Sequence, residues 1–446
     1  MRGVRSLIIL LIIAIPLGWY ALRESKKEAP TSDKKLEKVF PGVEADKIDQ
    51  ITIKSESGDR TTVQKQSSKW QVTAPLTAAA DDGELSGLTS NLSSLEMQRV
   101  VDEQPSDLKQ YGLQPARVEV TFKAGGQQRH LLVGQKTPTG TDLYAKLPDK
   151  PRVFLISSYL DATFNKSTFD LRDKTVLKFD REKVDTLEIA GADRTLKFSK
   201  KGADWRMTAP VDARADFGAI EGVIGRLNTA QMKALTAPDA TDLKQYGLDK
   251  PAYTVRLGAG SAQAALAIGK SAGEGVFYAK DLSRPMVFAV ESALLDELKK
   301  PADDFRIKDL FDARAFNINR VEVTRGGQAV AFEKSKGAAK GNEPPPDVWK
   351  QVSPSAKDVD SSKMDALITA LTNARATSFV EKTAATGLDT PELTVSIKYD
   401  DNQKQERVAF GRHGQDAFAH RDGEPGAAKI DASALDAIAK ALDALK

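Results

Sequence analysis

WQVTAPL at Trp70–Leu76, WRMTAPV at Trp205–Val211 and WKQVSPS at Trp349–Ser355 are three spellings of one phrase, set about 140 residues apart. That period exceeds a solenoid unit of about 20–50 residues and matches a small domain. The chain therefore reads as one module written three times. Ahead of each tryptophan lies an alternating apolar segment: Ile51 and Ile53, Leu187 and Ile189, Val321 and Val323. Alternation predicts a half-buried strand, and a Gly-containing turn to a second strand makes a hairpin that the tryptophan strand extends to a meander. The longer interval before Trp349 is taken up by KGAAKGNEPPPD, whose consecutive prolines predict a surface loop. After each tryptophan phrase, Leu85, Leu88 and Leu92; Ile220, Val223 and Leu227; and Met364, Leu367 and Leu371 recur at i, i+3, i+7. That spacing is one helical face.

The longest shared phrase is DLKQYGL, at Asp107–Leu113 and Asp242–Leu248, with Gly387 and Leu388 following Thr386 in the third copy. A proline follows each time, at Pro115, Pro251 and Pro391. Gly112, Gly247 and Gly387 are expected to take positive φ and end a turn, with the proline setting entry to the next strand. Tyr111 and Tyr246 are expected to lock that turn through a hydroxyl-to-backbone hydrogen bond. Strands resume after the proline, pass a second glycine (VGQK at Val133, IGKS at Ile268, FGRH at Phe410), and lead to aromatic strands at Tyr144, Tyr278 and Phe418. A last strand and a closing helix end each module. The expected class is α+β: three tandem modules of antiparallel sheets with two helices each, behind one N-terminal transmembrane helix.

The chain has 446 residues, no cysteine, and 65 basic against 62 acidic residues for a net charge of +3. Near-neutral balance gives no concentrated basic face for nucleic acid. Without cysteine there are no disulfides and no thiolate chemistry. Arg2 and Arg5 precede an uncharged run, LIILLIIAIPLGWYAL, from Leu7 to Leu22. It is shorter than the roughly 20 residues usual for a span, but snorkelling arginines and the interfacial pair Trp19 and Tyr20 suit an anchor. The rival reading is a cleaved signal peptide, but no small-residue cleavage site directly follows the run, so an uncleaved anchor is expected, with the bulk of the chain extracytoplasmic. The expected organisation is 1–22 with the anchor at 7–22, a polar stalk over 23–38, and modules over 39–176, 177–312 and 313–446. FDLRDK (Phe169–Lys174) and FRIKDLF (Phe305–Phe311) read as linkers that fix one module against the next.

The tryptophan phrase, helix, YGL turn with its proline and the hydrophobic-Gly strand together resemble a bacterial family, number 4340 in the domain-of-unknown-function series. The resemblance runs from about Val39 to the end. It implies an N-terminal membrane segment, an extracytoplasmic body and an accessory role beside ABC-type transporters of the gliding-motility kind. It assigns no catalytic residues.

Residue types capable of chemistry are sparse. Ile268-Gly269-Lys270-Ser271 ends like a phosphate loop, but Ala264 stands where that motif needs glycine, and a turn and strand follow. His130, His413 and His420 do not recur between modules and lack zinc-ligand spacing. No Gly-x-Ser-x-Gly elbow occurs. Trp70, Trp205 and Trp349, one per module on matching strands, are expected in cores; a row of exposed tryptophans would instead stack on sugar or peptide. No catalytic, metal or cofactor site is expected. The expected function is a non-enzymatic, membrane-anchored envelope protein that binds or scaffolds a protein partner, in an ABC-type transport complex. The alternative is an extracytoplasmic glycan- or polysaccharide-binding protein.

Overall fold

The computed structural model describes residues 36–337, 347–381 and 385–446. The expected anchor, most of the stalk and most of the proline-rich insertion lie outside the described residues. Among those described, no helix is long and apolar enough to cross a membrane. The chain forms two compact units, one ending at Lys174 and one spanning Thr175–Lys446.

The first unit is built on a nine-stranded antiparallel sheet. Its spatial order is Ala78–Ala79, Lys69–Ala74, Arg60–Gln66, Ile48–Lys54, Val118–Ala124, Gln127–Lys136, Asp142–Lys146, Val153–Ser157 and Arg99–Asp102. The meander and the later strands, expected as separate sets, are one sheet. Ile51 pairs with Phe122 and Ile53 with Val120, joining the two sets at the centre. All four side chains are at most 1% exposed. Both sets carry their apolar residues on one face, so fusing them buries one continuous core and removes two open edges. Helix α1 (Asp82–Ser94) lays Leu85, Leu88 and Leu92 on that core. The Asp81 carboxylate caps it, accepting from Gly83 N at 3.0 Å and Glu84 N at 3.1 Å. Each such buried side chain contributes about 1.5–3 kcal/mol.

Two expectations change in this unit. The closing helix is two single turns, α2 (Asp161–Phe164) and α3 (Thr168–Leu171). Apolar burial there falls on Phe164 and Leu171, which two short turns suffice to seat. The stalk, drawn to Lys38, ends earlier: Glu37–Lys38 pairs with Glu96–Met97. It is held in place by the buried Val39 and Phe40, with Val39 N donating to Leu95 O at 2.8 Å.

The second unit contains two further nine-stranded sheets with the same strand order. Leu187 opposes Leu257 in one and Val321 opposes Ile397 in the other, again fusing two strand sets. Helices α4 (Phe217–Thr229) and α6 (Ser361–Thr372) carry the predicted buried faces and begin at Asp216 and Asp360. Here the closing helices are present, α5 (Ser292–Lys299) and α7 (Ala432–Asp443). The linker Phe305–Phe311 is backbone-paired at both ends. Asp216 N donates to Phe305 O (2.8 Å) and Ile307 N to Arg214 O (3.2 Å). Further on, Leu310 N donates to Ala374 O (3.2 Å) and Ala376 N to Lys308 O (2.7 Å). The two sheets of this unit are thus tied through main-chain hydrogen bonds.

Candidate functional site

Each signature tryptophan opens its strand and turns inward: Trp70, Trp205 and Trp349 are 7%, 3% and 6% exposed. Directly across the strand pair, Lys65, Lys200 and Lys334 face them. Each ammonium lies over the indole, at 5.5, 5.7 and 5.8 Å from the ring centre. Such a cation–π contact is worth about 0.5–1 kcal/mol at exposed sites. This partner escaped the sequence reading, although Lys65 and Lys200 stand at the same distance before their tryptophans; the insertion hides the third. All three phrases then end in a cis peptide, at Pro75, Pro210 and Pro354.

The two glycine signatures meet. Gly112, Gly247 and Gly387 adopt φ of +67°, +66° and +68°. Their turns press on the second glycine of each copy. A Cβ at Gly134 would lie 2.0 Å from Tyr111 O, and at Gly269 2.2 Å from Tyr246 O. In the third copy a Cβ at Gly411 would lie 2.6 Å from Gly387 O. Glycine is required there by close backbone approach rather than by its own φ. The residues Ile268–Ser271 therefore lie within a strand, Ala262–Gly273, and serve this packing.

Tyr111 does not bond to backbone as expected: its hydroxyl donates to Asp102 Oδ2 at 3.1 Å. Burial and this carboxylate raise its pKa. Its ring packs on Tyr144 at 4.9 Å, and Tyr246 packs on Tyr278 at 5.1 Å. These turns are locked by aromatic pairs, which the third copy, with Thr386 and Phe418, does not reproduce. Pro115 follows a cis bond, whereas Pro251 and Pro391 lead into Tyr253–Ala259 and Leu393–Tyr399.

The tryptophans and the YGL turns do not form one site. Three strands separate Lys69–Ala74 from Gln127–Lys136, a span of about 19 Å at the usual strand spacing. Two residues beyond each aromatic of the next strand, Lys146, Lys280 and His420 share a third repeated duty. Lys146 Nζ donates to Leu147 O (3.0 Å) and Lys150 O, and Lys280 Nζ to Arg284 O. His420 Nδ1 stands 2.7 Å from Gly426 O, an acceptor, so that nitrogen carries the proton. Burial lowers the pKa of both lysines. Among the described residues, no group of three or more His, Cys, Asp or Glu is placed to hold a metal.

Within the second unit, charged residues from both sheets and the linker form an alternating chain. Arg306 Nη2 lies 4.0 Å from Glu424, whose other oxygen accepts from Arg214 Nε at 3.2 Å. Arg214 Nη1 donates to Asp312 Oδ1 (2.5 Å), and Arg421 Nη2 donates to Asp312 Oδ2 (2.8 Å). Arg421 Nη1 is 2.6 Å from Glu406, whose side chain is 2% exposed. Glu406 also accepts from Asp312 N at 3.0 Å and Ala313 N at 2.7 Å. Arg306, 7% exposed, lies over Phe379 at 3.5 Å; burial is the main cause of its lowered pKa. The cavity among these residues is about 20 Å³, room for one water. The arrangement is a clamp and not a pocket for substrate; within it Arg306 Nε is buried without a hydrogen-bond partner among the described residues.

In the first unit, Val39, Phe40, His130, Arg129, Pro148 and Lys150 border an open cleft of about 520 Å³, within the range of small-ligand sites. His130 Nε2 is buried there without a partner among the described residues. The cleft has mixed walls, with Arg129, Lys150 and Asp149 beside the apolar Val39, Phe40 and Leu147, and its position beside Val39 was not legible in the sequence.

No curated protein and no solved structure matches the chain. A family model does, over 70–204, 205–391 and 349–446, each match opening on a signature tryptophan. The chain belongs to the family described as a domain of unknown function, DUF4340.

Proposed function

We propose that this chain is a non-enzymatic, membrane-anchored envelope protein that scaffolds protein partners, as an accessory of an ABC-type transport complex. The bulk of the chain would stand outside the cytoplasm, at the bacterial inner membrane, held by a transmembrane helix over Leu7–Leu22. The observation that carries the reading is the junction in the second unit. A linker paired to both sheets and a chain of partly buried ion pairs hold two modules at a set spacing, as a platform requires. Matched surfaces on such modules raise avidity when both engage together. Burial of the tryptophans leaves no indole row for sugar stacking, which favours a protein partner over a glycan. In-cell photocrosslinking of the full chain, with probes on exposed positions of each module, tests this. Capture of a transporter membrane subunit or its companion is the expected result. Recovery of glycan alone, or of no protein, overturns it.

A further inference from the structure

In the first two copies, the short strand after the tryptophan strand is covered by the segment leaving its module. In the first unit Ala80 bridges Arg172, with Asp81 N donating to Leu171 O (3.0 Å) and Asp173 N to Ala79 O (2.9 Å). In the second unit Ala215 bridges Arg306 through the same two bonds, Asp216 N to Phe305 O and Ile307 N to Arg214 O. Ala80 and Ala215 are buried beneath these segments, and so are the apolar residues ahead of the arginines, Leu171 and Phe305. Phe305 packs on Phe198 at 5.3 Å.

The third counterpart is Lys357–Asp358, followed by Val359 and Asp360. It forms the outer edge of its sheet: it pairs with the tryptophan strand on one side, Lys357 Nζ donates to Leu445 O (3.1 Å) and Lys446 O (3.0 Å), and among the described residues no strand pairs with its other side. Val359 is only half-buried, and Asp358 and Asp360 are exposed. Beside it Val323, Val330, Phe332 and Leu445 border a largely apolar cavity of about 100 Å³, with Arg325 and Lys446 also on its wall. Phe332 holds the register position of Phe198: Phe198 opposes Leu187 and Phe332 opposes Val321.

We propose that this edge takes an extended basic segment of a partner protein by strand addition, with an arginine or lysine opposite Val359 and the preceding apolar side chain in the 100 Å³ cavity. The covered copies supply the backbone pattern: Asp360 N and Asp358 O are the donor and acceptor that match Asp81 N and Ala79 O. Charge supplies the partner's chemistry. Two carboxylates flank Val359, where the first copy has Ala79 and Asp81 and the second has Arg214 and Asp216. The Asp358 side chain is 91% exposed, with the exposed Lys350 Nζ 3.7 Å away, and in the first copy Lys174 Nζ lies 3.4 Å from the capping Asp81. Main-chain pairing gives such segments affinity and the side chains give specificity. The inference rests on the partner-binding reading above and adds the partner's chemistry.

The test uses the full chain in detergent and a fluorescent peptide, Phe-Arg-Ile-Lys-Asp-Leu, the chain's own second linker. Saturable binding is expected, with exchange of the Asp360 amide slowed in the complex. Asp358→Lys should weaken binding by about tenfold, and Leu445→Trp, which fills the cavity, should abolish it. No saturable binding at millimolar peptide by a natively folded chain overturns the proposal, as does binding that neither variant alters. A partner crosslinked in cells only from other faces, with no peptide binding, removes this edge and leaves the scaffold function standing. Peptide binding without any cellular partner supports the edge and counts against the scaffold.

Discussion

Gly134→Ala should destabilise the first unit, while Gly87→Ala in the same unit should stabilise it. The chemical change is identical, and only the surroundings differ. A Cβ at Gly134 would meet Tyr111 O at 2.0 Å and Leu113 Cγ at 3.1 Å. The carbonyl must retreat by about 1.4 Å to reach ordinary contact, and overpacking of this kind costs about 1–3 kcal/mol. Retreat is obstructed, because the turn carrying that carbonyl is pinned by Gly112 at φ +67°, itself pressed against Gln135 N. The expected loss is therefore at the upper end, about 3 kcal/mol. Gly87 sits exposed on α1 with nothing within 4 Å of its would-be Cβ. Alanine there gains about 0.8–1 kcal/mol of helix propensity. Native-state hydrogen exchange in urea, followed at the amides of Gln127–Lys136 and Asp82–Ser94, reads the first unit separately from the second. A Gly134→Ala chain within about 0.5 kcal/mol of the parent would refute the close-approach account of the second glycine.

Other outcomes follow from the same geometry. Trp205→Ala should cost about 3–5 kcal/mol, and the parent's tryptophan emission should be blue-shifted and resist acrylamide; easy quenching would place these indoles at the surface. Glu406→Ala strips the buried partner from Arg421 and two backbone donors, so thermal unfolding should show a loss of about 3–5 kcal/mol in the second unit; an unchanged midpoint would dissolve the clamp. Asp170, within the capping box of α3, has a lowered pKa: burial opposes the shift, but Ser167 hydrogen bonds and the Lys166 and Lys174 charges outweigh it. Its folded pKa lies below its ordinary 3.8, so its contribution is present above that value and lost as pH falls through the folded pKa. Asp170→Asn should flatten this acid-side loss in a pH series of urea midpoints, and an unchanged slope would contradict the assignment.

Much of the module was readable because its signals are local. The i, i+3, i+7 faces of Leu85–Leu92 and its counterparts became buried helix faces, and the alternation at Ile51 and Ile53 became a buried strand. Positive φ at Gly112, Gly247 and Gly387 followed from the turn that glycine there implied. The closing helix of the first module was misjudged because α2 and α3 bury only single residues each, too little for periodicity to register. The tyrosine lock was half legible. A backbone partner for Tyr111 was expected, and the hydroxyl instead meets the Asp102 carboxylate, which depends on how the sheet's last strand returns beside the turn.

By itself, the sequence determined three copies, their strand and helix types and the inward tryptophans, since periodicity and turn punctuation act over a few residues. Tertiary structure alone decided the rest. The fusion of two strand sets into one sheet, the contact between the two glycine signatures and the ion pair of Arg214 with Glu424, 210 residues apart, are long-range pairings. Backbone register and burial select them from many charges and glycines of equal local appearance, so no local pattern encodes which residue meets which.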